Sequence, residues 1–169
     1  PSLLLGAVDL TPMEVAQVYN SLGNGGFHAP LKAVRAVLDA DGKPLERYQL
    51  KINRAADPSA VAQLTASMLQ VVDRGTARGA RRWLPADLGV AGKTGTSDDL
   101  RDSWFAGFTN DHVVVVWVGA DDNSPTGLSG ASGALPIWAR LVAGFGDLGY
   151  EALPAEDLIY VADSAHAPY

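Results

Sequence analysis

The chain has 169 residues, of which 47% are hydrophobic and 19% charged, which is the composition of a single globular domain and excludes a disordered or fibrous segment. Its formal net charge of −6 argues against a general nucleic-acid binder, and the lack of cysteine excludes disulfides, thiolate catalysis and cysteine-based metal sites. No run reaches the ~18 apolar residues of a membrane span. Because the chain opens on Pro-Ser-Leu rather than on Met, we expect an excerpt of a longer polypeptide.

The first elements are predicted from capping and turn signals. The stretch TPME at residues 11–14 offers a capping threonine, a proline for the first helical position and a glutamate for a capping box. We therefore expect a helix from this point to the glycines of residues 23–26. Residues 31–39 alternate as a strand, residues 39–42 predict a turn, and residues 44–50 would form the returning strand.

A second helix is predicted from Asp57-Pro58 to about Gly75. One apolar stripe supports it, made of Val61, Leu64, Met68, Leu69 and Val72. Residues 76–87 then look like a loop, and the region is basic through Arg74, Arg78, Arg81 and Arg82. This region interrupts the apolar pattern before the sheet.

Three strands follow closely, at residues 88–96, 103–109 and 112–120. The last is a continuous apolar run, so we expect it to be buried on both faces. A helix is predicted over residues 132–145, and residues 146–169 form a weakly patterned, loosely ordered tail. The predicted fold class is α+β, in which an antiparallel sheet of these three strands is flanked by helices.

The spacing of residues argues against three common sites. A phosphate-binding loop that ended at Gly92-Lys93-Thr94 would need a glycine at position 87, which is Asp87. No metal site is expected, because the three histidines lie far apart in the sequence: His28, His112 and His166. The acidic run at residues 121–123 lacks the spacing of a calcium loop.

The tetrapeptide Lys93-Thr94-Gly95-Thr96 places a cation, two hydroxyls and an unobstructed backbone in one strand. Such groups can hold a carboxylate, and a backbone N–H can face a developing oxyanion. Strand alternation puts Lys93 and Gly95 on one face and the two threonines on the other. The tetrapeptide alone therefore leaves two interpretations open, a ligand site or an edge strand protected by a lysine.

The motifs around this tetrapeptide resemble those of one family. The sequence RGTA precedes it at residues 74–77, and DSWFAGF follows at residues 102–108, before the valine strand. Together with residues 6–26 (GAVDLTPMEVAQVYNSLGNGG) and 128–138 (LSGASGALPIW), this succession resembles the transpeptidase domain of bifunctional class A penicillin-binding proteins, and most of all the 1b type. The resemblance covers residues 1–145 as the C-terminal portion of that domain. It implies a penicillin-binding/serine β-lactamase-like fold.

The resemblance also implies residue roles. Lys93 matches a lysine beside the serine of the middle family motif, where it assists proton transfer and attracts a carboxylate. The hydroxyls of Thr94 and Thr96 match those that bind this carboxylate, and the backbone N–H of Thr96 matches one oxyanion donor. Gly95 matches a position that stays small beside the bound peptide.

Two further assignments have alternatives. Arg74, Gly75 and Thr76 match a loop at the border of the cleft, although a helix C-terminus explains the arginine and the glycine equally well. The three aromatic residues Trp104, Phe105 and Trp117 are predicted to lie in the core rather than to contact substrate.

The nucleophile is not found in this chain, because no serine has a lysine three positions later or an asparagine two positions later. The family order places both motifs upstream, so we expect this chain alone to be inactive and to depend on the upstream half of the same domain. The whole protein would then catalyse serine acyl transfer on D-Ala-D-Ala stem peptides of peptidoglycan, and β-lactams would acylate the same serine.

The resemblance further implies the periplasmic side of the bacterial inner membrane, an upstream glycosyltransferase domain and a membrane anchor outside this chain. It implies no cofactor and no nucleic-acid partner. Two alternatives remain open: a D,D-carboxypeptidase or serine β-lactamase, and a non-catalytic binding module.

Overall fold

The computed structural model describes residues 8–146 and 149–151. Three α-helices are present in this part of the chain: α1 (Pro12–Gly23), α2 (Pro58–Asp73) and α3 (Ala134–Ala143). The seven strands are β1 (Phe27–His28), β2 (Ala36–Leu38), β3 (Pro44–Arg47), β4 (Asn53–Arg54), β5 (Ala91–Thr96), β6 (Ser103–Phe108) and β7 (Val113–Val118). Two short 3₁₀ helices cover Arg78–Arg82 and Asp98–Leu100. The predicted α+β class is confirmed.

Side chains cap the starts of α1 and α2, and the capping box predicted for α1 is present. The Thr11 backbone N–H donates to the Glu14 carboxylate at 2.8 Å, and the Glu14 N–H donates to the Thr11 hydroxyl at 3.3 Å. The hydrogen bond from the Thr11 backbone N–H, followed by the weaker influence of the Thr11 hydroxyl, holds the pKa of Glu14 below its ordinary value. At α2, the carboxylate of Asp57 accepts from the Ala60 N–H at 3.0 Å. The predicted apolar stripe is wrong at one position, since Leu64 is 48% exposed and Thr65 is buried instead.

The predicted hairpin is present but shorter. β2 pairs antiparallel with β3, and β1 pairs with β4. The turn forms because the Asp39 carboxylate accepts from the backbone N–H of Asp41 at 3.0 Å and of Lys43 at 2.8 Å. Every residue of β2 and β3 is exposed. Since neither strand has a packed face, only three or four residues on each side keep strand geometry.

The site depends on the sheet β5-β6-β7, which is antiparallel with β6 in the centre. Thr94, Phe105 and Val116 are cross-strand neighbours, and the next row is Gly95, Trp104 and Trp117. Because strand residues alternate, these two rows point to opposite sides. We call the side of Phe105 the first face and the side of Trp104 the second face.

Around Phe105 the first face is closed by α3 and the end of α2, whereas Thr94 and Thr96 at the end of β5 remain accessible on this face. Phe105 packs edge-on against Trp138 with ring centroids 4.8 Å apart, and neither side chain is exposed to solvent. The Trp138 indole N–H donates to the Val114 carbonyl at 2.9 Å. A Cβ at Gly92 would lie 2.7 Å from Phe105 Cζ, so glycine at this position makes room for the ring. This cluster forms the core of the fold.

The second face is closed only at one end. There Phe108 packs edge-on against Tyr19 of α1, at 6.5 Å, and against Tyr150, at 4.9 Å. The Tyr150 N–H also donates to the Gly89 carbonyl at 2.7 Å. Packing therefore extends past residue 145, where the predicted tail begins; most of that tail lies outside the described residues.

One expectation about the sheet is wrong. β7 was expected to be buried on both faces, but its residues are half-buried and Trp117 is 40% exposed. β7 is the outer strand of the described sheet, so an unbroken apolar run here does not mean a central position. In the segment predicted as loop, Arg81 has a structural role: its guanidinium contacts Asp73 at 2.6 Å and the Leu88 carbonyl at 2.9 Å.

None of the helices in the described part of the chain has the length and apolar character needed to cross a membrane.

Candidate active site

The tetrapeptide of interest occupies the second half of β5. The strand begins buried at Ala91 and Gly92 and becomes accessible from Lys93 onward. Backbone pairing with β6 continues through the whole stretch, up to Thr96 opposite Ser103. The tetrapeptide is thus held by the sheet while its side chains remain available to solvent.

Lys93 places its ammonium along the strand. Its Nζ donates to the Thr94 carbonyl at 2.8 Å and lies 3.5 Å from the Thr94 hydroxyl. The side chain is exposed. An ammonium has three donors, so one that makes these contacts can still donate to an anionic ligand beside Thr94.

The two threonine hydroxyls each contact a different loop. Thr94 Oγ1 lies 2.8 Å from Thr76 Oγ1, and either oxygen can be the donor. Thr96 Oγ1 accepts from the Gly130 backbone N–H at 2.9 Å. The structure therefore brings together the RGT and KTGT motifs, which the sequence separates by 18 positions.

The loop between β7 and α3 lies directly on the tetrapeptide. A Cβ at Gly130 would be 2.6 Å from the carbonyl oxygens of Gly95 and of Trp104, so only glycine fits there without a shift. At Gly95 itself, a Cβ would meet Trp104 Cβ at 3.0 Å. Glycine thus lets the backbones of two segments approach each other on one side of the strand.

The three residues of the RGT motif have different surroundings. The backbone N–H groups of Arg74 and Gly75 both donate to the Gln70 carbonyl and end α2. The Arg74 Nε donates to the Gln70 side chain at 2.5 Å, and a Cβ at Gly75 would lie 2.8 Å from Val71 Cα. These contacts support the helix-terminus explanation for Arg74 and Gly75, whereas Thr76 reaches the tetrapeptide.

The hairpin after the tetrapeptide is fastened to the same β7–α3 loop. The Arg101 guanidinium donates to the Asn123 carbonyl at 2.5 Å. Thr126 donates twice to the Leu100 carbonyl: its backbone N–H at 2.9 Å and its hydroxyl at 2.8 Å. The buried hydroxyl of Ser103 donates to the Ser129 carbonyl at 2.8 Å. This loop therefore fixes the end of β5 and the start of β6 together.

Sequence reasoning missed the contributions of Gly130 and Ser103. The glycines and serines of residues 127–133 do predict a loop. No local pattern shows that this loop packs on β5, because Gly130 is 34 positions from Thr96. Such a contact is visible only in the folded chain.

The aromatic prediction is right for Phe105 and wrong for the two tryptophans. Trp104 is half-buried and pairs with the partly exposed Trp117 at a ring-centroid distance of 6.1 Å. The Trp117 indole N–H donates to Asp102 at 2.9 Å. Both indoles lie on the second face, which also carries Lys93 and Gly95. The described core does not include them.

No group of three or more acidic or histidine side chains suited to a metal ion occurs among the described residues. His28 belongs to β1, whereas His112 packs against Phe145 with the rings tilted by 37° and their centroids 4.7 Å apart. His166 lies outside the described residues. The chemistry available here is that of one ammonium, hydroxyls and backbone N–H groups.

Comparison with known proteins gives one family. The model of the penicillin binding protein transpeptidase domain matches residues 3–142. The chain is 45% identical to penicillin-binding protein 1B of Escherichia coli over 159 residues, which is 94% of this chain and 19% of that protein. It is 46% identical to penicillin-binding protein 1B of Vibrio cholerae, over 83% of this chain and 18% of that protein. The chain thus spans about a fifth of the length of these relatives.

Solved structures show the same fold. The crystal structure of penicillin-binding protein 1A from Haemophilus influenzae has a TM-score of 0.81 at 23% identity, and the match covers 90% of this chain and 29% of that one. The PonA1 protein of Mycobacterium tuberculosis, solved in complex with penicillin V, has a TM-score of 0.70 at 23% identity over 90% of this chain and 43% of its own. At these identities the likeness shows the fold alone.

Proposed function

This chain belongs to the penicillin-binding protein transpeptidase family, as its motifs predicted, and from that premise we propose that β5 forms the carboxylate-binding wall of a serine D,D-transpeptidase site. The substrate is the D-Ala-D-Ala end of a peptidoglycan stem peptide. A serine supplied by the upstream half of the domain attacks the carbonyl carbon of the penultimate D-Ala. A β-lactam, which carries a comparable amide and carboxylate, acylates the same serine.

One observation carries this proposal: Lys93, Thr94 and Thr96 share the accessible half of a strand whose backbone is otherwise fixed. An ammonium and two hydroxyls are suitable donors for the terminal carboxylate of the substrate. Gly95 has no side chain on the second face, so an extended peptide can lie along the strand there. The backbone N–H of Thr96 would face the oxyanion that forms at the attacked carbonyl.

The proposed reaction has two balanced steps. First, the serine oxygen forms an ester with the penultimate D-Ala, the amide bond breaks, and the serine proton passes to the amine of the departing D-alanine. Second, an amine of a neighbouring stem peptide attacks the ester, releases the serine with its proton, and leaves a new amide as the cross-link. The role of Lys93 is to hold the carboxylate and to assist proton transfer beside the upstream serine.

The nucleophile and its base lie outside this chain in the proposal. No serine here has the spacing of the nucleophile motif, and acylation requires an activated nucleophile. We therefore expect residues 1–169 alone to be inactive. The family resemblance supports placing the whole protein on the periplasmic side of the inner membrane, with a glycosyltransferase domain and an anchor in other segments.

Covalent labelling with a fluorescent penicillin tests this function. We expect the full-length protein to be labelled and residues 1–169 alone to remain unlabelled. Lys93→Ala in the full-length protein should slow labelling roughly 10- to 100-fold, because a hydrogen bond to a charged group contributes ~1.5–3 kcal/mol. The matched control is Lys43→Ala, which removes an exposed lysine from the β2–β3 turn and should leave the rate unchanged.

Three outcomes would contradict the proposal in different ways. Labelling of residues 1–169 alone would reveal a nucleophile within the chain. Failure to label the full-length protein would favour a non-catalytic binding module. Transfer of the acyl group to water, with no cross-linked product in the presence of an acceptor amine, would indicate a carboxypeptidase if the stem-peptide donor is hydrolysed and a β-lactamase if the penicillin itself is hydrolysed.

A further inference from the structure

Both hydroxyls of the tetrapeptide are held by a partner from outside β5. Thr76, just after α2, contacts Thr94 at 2.8 Å, and Gly130, before α3, donates to Thr96 at 2.9 Å. The two contacts come from separate segments but act on equivalent atoms, two residues apart on one side of the strand. A hydroxyl has one hydrogen to donate and two lone pairs to accept with, so a partner on its oxygen constrains the direction of that hydrogen.

At Thr96 this direction is fixed. The Gly130 N–H can only donate, so Thr96 Oγ1 is the acceptor in that hydrogen bond. The hydroxyl hydrogen of Thr96 is therefore not used by Gly130 and can be donated to a ligand. A carboxylate only accepts hydrogen bonds, which makes it the matching ligand group.

At Thr94 the direction depends on Thr76. We propose that Thr76 is a positioning residue whose hydroxyl donates to Thr94 Oγ1 and so directs the Thr94 hydrogen to the carboxylate of the substrate. This inference rests on the proposed function of β5 and assigns Thr76 a role through Thr94, without contact with the substrate. The order of donation is then Thr76 to Thr94 to carboxylate. Since the last acceptor is charged, it polarises the hydroxyl before it and strengthens the whole chain.

Thr76 is well placed for this task because its neighbours are fixed. Gly75 donates its N–H to the Gln70 carbonyl at 3.1 Å, and the Ala77 N–H donates to the Val71 carbonyl at 3.0 Å. Ala77 is fully buried in the core cluster that contains Phe105 and Trp138. The backbone is thus held on both sides of an exposed threonine, which limits the positions open to its hydroxyl.

The carboxylate itself provides a sharp test. In the full-length protein, the second-order acylation rate would be measured with a fluorescent penicillin that has a free carboxylate and with the methyl ester of the same compound. The quantity of interest is the ratio of the two rates. Thr76→Val keeps the side-chain shape but removes the hydroxyl, and we expect this ratio to fall about 5- to 10-fold, in keeping with the loss of one hydrogen bond of ~1 kcal/mol or slightly more.

Three companion variants isolate the cause. Thr76→Ser keeps the hydroxyl and should retain the wild-type ratio. In a Thr94→Val background, adding Thr76→Val should change the ratio less than twofold, because the two residues act as one unit. Thr126→Val is the matched control: its hydroxyl also joins two segments, through the Leu100 carbonyl, but it makes no contact with Thr94 in this structure. It should not change the ratio.

The outcomes are distinguishable. An unchanged ratio in Thr76→Val overturns the proposal. Equal slowing of acid and ester also overturns it, since a merely structural tether would affect both probes alike. If Thr76→Val lowers the ratio in the Thr94→Val background as much as it does in the wild type, Thr76 contacts the ligand directly and the positioning role is wrong. If the wild-type protein fails to label at all, the proposed function itself fails and this inference falls with it.

Discussion

Two aromatic pairs on opposite faces of the same sheet differ in their surroundings. Phe105 and Trp138 are fully buried on the first face, whereas Trp104 and Trp117 remain partly accessible on the second. Trp104 and Phe105 are adjacent in the sequence, so one peptide bond separates a core residue from a surface-facing one. The difference arises from what covers each face, and not from the hydrophobicity of the strand.

That difference explains how β5 can serve both stability and chemistry. On the first face, Gly92 of β5 and Gly107 of β6 have no side chain, and this leaves room for the rings of Phe105 and Trp138. On the second face, which also carries the accessible tryptophans, the same strand presents the exposed Lys93. The packing of the first face anchors the start of β5. From Lys93 onward the strand is accessible, so Lys93 on the second face and Thr94 and Thr96 on the first remain available to a ligand. Substitutions on the two faces should therefore have different consequences.

The largest expected effect comes from truncating one tryptophan of each pair. Trp138→Ala should lower the free energy of unfolding by about 3–5 kcal/mol, the usual cost of deleting a buried aromatic ring. Trp117→Ala should cost about 1–2 kcal/mol, because it removes a partly exposed ring and its hydrogen bond to Asp102. Urea unfolding of the two variants measures both values. Equal losses of unfolding free energy would contradict the difference between the two faces, since they would mean that the second face is as closely packed as the first.

A smaller effect is expected from adding one methyl group on each face. Gly92→Ala should destabilise the protein by about 1–3 kcal/mol, because the new Cβ would lie 2.7 Å from Phe105 Cζ in a filled core. Gly95→Ala should cost less, since its nearest contact is Trp104 Cβ at 3.0 Å on a half-open face.

Gly79→Ala is the matched control for these two substitutions. Its nearest neighbour would be Leu135 Cδ2 at an ordinary 3.8 Å, so its unfolding free energy should stay within about 0.5 kcal/mol of wild type. Thermal unfolding of the three variants gives their order. A Gly95→Ala variant less stable than Gly92→Ala would reverse the assignment of the closed face.

The sequence predicted well those features that depend on near neighbours. The capping box of Thr11 and Glu14 involves atoms three residues apart, and the Asp39 turn is equally local. Strand existence and the position of the KTGT tetrapeptide followed from apolar runs and a motif. The family was identified from the order of several motifs, which is information that no single element contains.

The rest depended on contacts between distant residues. The prediction that placed Trp104, Phe105 and Trp117 together in the core is wrong for the two tryptophans, because the sequence does not show which face of the sheet is covered. The contacts of Thr76 with Thr94 and of Gly130 with Thr96 join residues 18 and 34 positions apart. Their partners are hydroxyls and a backbone N–H, which leave no periodic signal. The site was thus predicted as a strand bordered by the loop of residues 74–76, whereas the contact of Thr76 with Thr94 and the packing of the Gly130 loop were not predicted.

The smallest expected effect is on the pH dependence of stability. It tests whether the second face is closed at its Phe108 end, unlike the end that carries Trp117. Burial raises the pKa of Tyr19, whose ring packs edge-on against Phe108. Above the ordinary tyrosine pKa of about 10, the unfolded chain releases this proton while the folded protein retains it, so stability falls as the pH rises. Unfolding free energies measured from about pH 9 to about pH 11 should therefore decline less in Tyr19→Phe than in wild type. Tyr48→Phe, which changes an exposed ring in the β2–β3 hairpin, should follow the wild-type curve. If Tyr19→Phe also follows that curve, the Phe108 end is as open to water as the Trp117 end, and the second face is exposed along its whole length.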